Sequence, residues 1–143
     1  MEELLVLAIL YCEDIIAEEA YDKKLNEFFL NDPENEDLLY LEWETDIKKA
    51  VAYIKEHIAF NIFDYELFGR IFMQKLKGYY ENCSDIKHFA EKMYLLWENL
   101  PETIQDKEPF FTLNYADEPL SWGDEEQTRN LYENVLNYYF SEK

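Results

Sequence analysis

Glycine, proline, cysteine and histidine are all scarce in this chain: three, four, two and two residues in 143. So few glycines and prolines leave few places for tight turns, which a fold of many short strands would need, and helices are favoured instead. Cys12 and Cys83 stand alone, with no CxxC pair, so they make neither a disulfide framework nor a thiolate metal site. They read as reduced, buried thiols of a cytoplasmic protein. Two histidines cannot supply the repeated Glu-x-x-His of a di-iron bundle, and the nearest match, Asp85-Ile-Lys-His88, occurs once. Basic residues are short as well: thirteen Lys and Arg face thirty-two Asp and Glu, for a net charge of −19. That balance repels phosphate backbones and anionic lipid head groups, which removes nucleic acid and membrane surfaces as direct ligands. The apolar run Leu4–Cys12 is far below the ~20 residues that span a bilayer, lacks a positive flank and a small-residue cleavage site, and reads as a buried helix.

Apolar residues make up 48% of the chain and aromatics 17%, so the charge does not signal disorder, which also requires low hydrophobicity. The length suits one domain over residues 1–143. Acidity is concentrated at the two ends. Residues 1–46 carry fifteen acids against Lys23 and Lys24, residues 47–100 balance seven acids with eight bases, and residues 101–143 carry ten acids and three bases. A neutral middle between two acidic ends implies a surface that meets something positive, a basic protein partner.

Apolar spacing predicts an all-α fold: a single-domain bundle of about five helices with one long loop before the last. The first helix covers residues 3–30, with a break near Tyr21; Asn31-Asp-Pro-Glu-Asn35 is a turn; the second covers 36–58, with Leu39/Tyr40, Trp43, Ile47 and Ala50/Val51 on one face and a Glu44–Lys48 pair four apart. Asp64 opens a third helix to Glu81, Ser84 caps a fourth over 85–99 that Pro101 stops, and Asp124 opens the last, to Phe140. Between them Phe110–Tyr115 alternates like a short extended piece. Trp43, Trp97, Phe72 and Leu131 are the expected core.

Sequence motifs for catalysis are missing: there is no GxGxxG, GxxxxGK[ST], GxSxG or HExxH. The enzyme alternative is a metal-dependent all-α nucleotide pyrophosphohydrolase, whose paired acids would be Asp14 with Glu18 and Glu34 with Asp37. Its motif is incomplete, since Glu34–Asp37 falls in a turn. No cofactor, metal or turnover is expected.

Two acidic clusters stand out by density: Glu34, Glu36 and Asp37 with Glu44 in the first half, and Asp117, Glu118, Asp124 and Glu125 in the second, the latter beside Tyr115 and Trp122. Acids interleaved with large aromatics make the pattern of a binding hot spot. The same stretch also admits a structural reading, in which Trp122 and Leu120 plug the end of the bundle and Ser121–Asp124 forms a cap. Twelve tyrosines either serve an interface or reflect an A/T-rich genome. In its overall acidity, tyrosine-rich helices and acidic aromatic loop Tyr115–Glu126, the chain resembles the small acidic cytoplasmic immunity proteins of bacterial toxin systems. That resemblance implies a stoichiometric inhibitor that neutralises a cognate basic toxin, such as a nuclease. A phage-type nucleic-acid mimic filling a basic groove would rest on the same physics.

Overall fold

Leu4 to Leu10 form an unbroken apolar stretch that cannot face water on any side, and in the computed structural model, which describes residues 1–140, all seven are buried within helix α1 (Glu2–Cys12). All regular structure among the described residues is helical, with eight α-helices and two 3₁₀ turns and no strand. The all-α expectation therefore holds, but the count of about five helices does not. The additional elements arise where long periodic stretches break. Two compact units result, residues 1–64 and 65 onward.

In the first unit α1 packs on α2 (Glu18–Asn31) and α4 (Ile47–His57), and α3 (Glu36–Trp43) packs on α2. The first break falls at residues 13–17 rather than near Tyr21. Asp14 takes a left-handed φ of 59°, the Ile15 N–H reaches back to Leu10 O at 2.9 Å, and the Asp14 N–H reaches Tyr11 O at 3.0 Å. This is the Schellman ending normally made with glycine; aspartate tolerates the conformation, so the stop carries no glycine signal. Asp14 and Glu18 consequently do not share a helix. The second break, at residues 44–46, is built by caps: Asn35 Oδ1 accepts from the N–H groups of Asp37 and Leu38, opening α3, and Asp46 Oδ1 accepts from Lys48 N–H, opening α4. Glu44 is extended, at φ −82° and ψ 114°, so the expected Glu44–Lys48 helical pair is lost.

The same break corrects Trp43. The stripe that α3 buries is Leu38 and Leu41, not Leu39/Tyr40 and Trp43. Trp43 lies on the opposite face and is 80% exposed.

The second unit contains α5 (Tyr65–Glu81), α6 (Ile86–Glu98), the single turn α7 (Glu102–Gln105) and α8 (Glu125–Leu136). Asp85, not Ser84, caps α6, its Oδ1 accepting from the Lys87 and His88 N–H groups. The segment expected to be a loop before the last helix is largely helical: α7 and two 3₁₀ turns, Phe110–Asn114 and Glu118–Trp122. Phe110–Tyr115 is thus not extended. Phe110 serves the core in this turn geometry, its ring 5.7 Å from Phe68 and 5.6 Å from Phe72, while Phe89 stands edge-on to Tyr132 at 5.0 Å. Phe72 is fully buried as expected; Trp97 and Leu131 are half-buried. Trp97 instead ties α6 to α7, its Nε1–H donating to Gln105 O and the Gln105 amide donating to Trp97 O. Cys12 and Cys83 sit at helix ends and are half-buried, not enclosed.

Candidate functional site

Seventeen Asp and Glu against five Lys make the first unit strongly negative, and the carboxylates are unevenly used. Asp37 accepts a hydrogen bond from the Tyr53 hydroxyl at 2.8 Å, and Glu44 accepts one from the Tyr40 hydroxyl at 3.3 Å. The two tyrosine rings stack at 3.9 Å, and His57 stacks on the other face of Tyr53 at the same spacing. The bond to Asp37, with partial desolvation, pushes the Tyr53 hydroxyl up to about 12. A ladder of three rings therefore brings Asp37 and Glu44 onto one surface. Glu34 and Glu36 are exposed beside it, in the turn before α3 and in its first turn.

Next to this surface lies a pocket of about 410 Å³, whose lining includes Tyr11 of α1, Glu18, Tyr21 and Asp22 of α2, and Glu42 and Glu44 at the end of α3. Tyr11 donates its hydroxyl proton to Glu18 at 3.2 Å, and the Tyr11 and Tyr21 rings stack at 6.1 Å. Partial desolvation, followed by the charge of Glu18, holds the Asp22 carboxyl above its ordinary range. None of Glu18, Asp22, Glu42 and Glu44 forms an ion pair among the described residues.

Asn26 and Glu42 are shared with a second, shallower groove of about 460 Å³, whose other walls are Phe29, Leu30, Leu39 and Trp43. Leu30 is 69% exposed and Leu39 43%. An apolar groove with an exposed indole thus adjoins an acidic pocket. Sequence reasoning does not find Glu18, Asp22, Glu42, Leu30, Leu39 or Trp43 as partner-binding residues. For Trp43 a signal exists in Thr45-Asp46, a cap that ends the register joining Trp43 to Ile47.

In the second unit the candidates lie close along the chain. Asp117 precedes the second 3₁₀ turn, Glu118 opens it, and Trp122 ends it with 62% of its surface exposed, so Trp122 does not plug the core. Gly123 closes the turn at φ 81°. Tyr115 is half-buried against Phe111, at 5.6 Å. Two of the acids have structural duties: Asp124 caps α8 by accepting from Gln127 N–H at 3.0 Å, and Glu125 pairs with Arg129 at 2.9 Å. Thr128 anchors the segment, its buried hydroxyl donating to Ala116 O at 2.8 Å.

Among the described residues no group of three or more His, Cys, Asp and Glu side chains converges to hold a metal ion. No helix is long and apolar enough to cross a membrane. Comparison with family models, curated proteins and solved structures gave no match.

Proposed function

We propose that this protein is a stoichiometric binding protein for a basic protein partner, acting as an immunity-type inhibitor of a toxin. The observation that carries the reading is the adjacency on the first unit of an apolar groove bearing an 80%-exposed tryptophan and a pocket whose four carboxylates have no ion pair among the described residues. Exposed indoles are costly to leave in water and supply much of the retention in protein complexes, while unneutralised acids around them steer a positive partner and speed encounter. Trp122, with Asp117 and Glu118 just before it in the chain and outside any ion pair among the described residues, repeats that pairing on the second unit.

The test is to purify the partner through the tagged chain and to measure the reconstituted pair. Expected are a single basic protein in a one-to-one complex and an association rate that falls steeply with added salt. Trp43→Ala should raise the dissociation rate. Glu42→Lys with Asp117→Lys and Glu118→Lys should slow association about tenfold or more at low salt. Cells forced to express the partner should stop growing unless this chain is also expressed. A complex whose rates ignore both salt and these substitutions would overturn the reading.

A further inference from the structure

Helices α2 and α3, joined by residues 32–35, each bury one face and leave a second apolar stripe outside. The buried residues are Tyr21 and Leu25 on α2 and Leu38 and Leu41 on α3. The outer stripes are Asn26, Phe29 and Leu30 on one helix and Leu39, Glu42 and Trp43 on the other, each spaced i, i+3, i+4, and together they line the groove of about 460 Å³. A helix needs only one apolar stripe to join a core. Scattered exposed leucines are ordinary on a protein surface, but Leu30, Leu39 and Trp43 converge on one concave site, which marks an interaction surface.

The backbone of the occupant follows from the walls. An extended segment gains affinity by adding to a sheet edge, and there is no strand among the described residues. A furrow between two neighbouring helices accepts a third helix, its apolar ridge seated between theirs. The charge of the occupant follows from the rim. α3 carries Glu36, Asp37 and Glu42 and no Lys or Arg, neither lysine of α2 lines the groove, and Lys24 is held by Glu3 and Glu27. Leu30 and Trp43 stand in the last turns of α2 and α3, neither of which has a basic residue, so the partial negative charge of both helix ends is left for a cation from outside. A second copy of this chain matches the apolar part only: a twofold contact sets the same acids of α3 against each other, in a chain of net charge −19.

We propose that the groove between α2 and α3 receives a basic amphipathic helix of a protein partner. Its apolar side chains at i, i+3, i+4 and i+7 pack on Phe29, Leu30, Leu39 and Trp43, and its flanking Lys or Arg residues face Glu42 and Glu36, which lies one turn before Leu39 on the same stripe. That the helix belongs to a toxin rests on the inhibitor reading above; its shape and charge rest on the groove.

The probe is a fluorescent peptide of leucine and lysine, about 15 residues long, with leucine repeating at i, i+3, i+4 and i+7; so short a chain is only marginally helical by itself. One companion peptide carries glutamate in place of lysine, and another has the same composition scrambled off one face. All three are titrated into the full chain and followed by anisotropy, circular dichroism and amide shifts. The first should bind and become helical, with shifts centred on residues 26–30 and 39–43. The scrambled peptide should bind about tenfold more weakly or worse, and the glutamate peptide should not bind. Trp43→Ala should weaken the first peptide about tenfold and Leu30→Ala several-fold, while both variants keep the melting temperature of the wild type because both side chains lie largely in water. A scrambled or glutamate peptide as tight as the first, shifts elsewhere on the chain, or unchanged affinity in both variants would overturn the groove. So would a free chain that sediments as a dimer and becomes a monomer on Trp43→Ala, since a second copy would then be the occupant. If the peptide binds as expected and no basic protein is captured, the inhibitor reading fails and the groove stands. If a captured toxin responds to salt and to the lysine substitutions but to neither Trp43→Ala nor Leu30→Ala, the groove fails and the inhibitor reading stands.

Discussion

Replacing Thr128 by valine should loosen the segment that presents Trp122 and its neighbouring acids. Thr128 is fully buried in the first turn of α8, and its hydroxyl donates to the carbonyl of Ala116, also fully buried, between the two 3₁₀ turns. Valine keeps the volume of threonine, so no cavity forms and packing should change little. What changes is that a buried carbonyl loses its donor, which costs about 1–3 kcal/mol. Serine provides the opposite control: it keeps the donor and loses one methyl group, worth about 0.8 kcal/mol. Urea unfolding followed by circular dichroism should therefore rank the wild type first, serine second and valine third. Hydrogen exchange at residues 116–124 should accelerate most in the valine variant. A valine variant as stable as the wild type would refute the assignment, because the Ala116 carbonyl would then need no donor from α8.

Tyr132→Phe should stabilise the protein by about 1 kcal/mol, since the Tyr132 hydroxyl is buried without a partner and its removal costs no hydrogen bond; a lower midpoint in urea would contradict this. The acidic pocket should make stability depend on pH with a defined sign. A carboxyl whose pKa is raised on folding binds its proton more tightly in the native state, so its contribution falls as pH rises through the folded value. Asp22 is in that position through partial desolvation and the charges of Glu18 and Glu19 on its own helix, with Glu42 and Glu44 lining the same pocket, so Asp22→Asn should raise the melting temperature at neutral pH and lose that advantage in acid. Equal melting temperatures for variant and wild type at neutral pH and low salt would show that the raised carboxyl is absent.

The helical class is legible in the sequence because it depends on local chemistry. Periodic apolar residues, scarce glycine and proline, and the caps Asn35, Asp46, Asp85 and Asp124 all act within a turn of the chain. The acidity of each cluster is likewise a property of the residues themselves. Element ends are harder to read where an unusual residue fills a familiar position, as Asp14 does in closing α1 with a conformation that normally advertises itself through glycine. Phe110–Asn114 misleads for a different reason, since its alternation resembles a strand while its rings are recruited by Phe68 and Phe72 from far along the chain. Such recruitment leaves no trace in local spacing.

The sequence by itself determined composition, charge and the tendency to form helices, because these follow from residue type and near neighbours. Only the tertiary structure decided which aromatics face water. Trp43 and Trp122 are chemically suited to a core, but α3 buries Leu38 and Leu41 instead, and the Gly123 turn leaves Trp122 outside. It also decided that Glu18 and Asp22 would share a pocket with Glu42 and Glu44, some twenty residues away. Burial and hydrogen-bond satisfaction depend on what packs from elsewhere in the chain, and a site assembled from helices that meet only in space takes its chemistry from that packing.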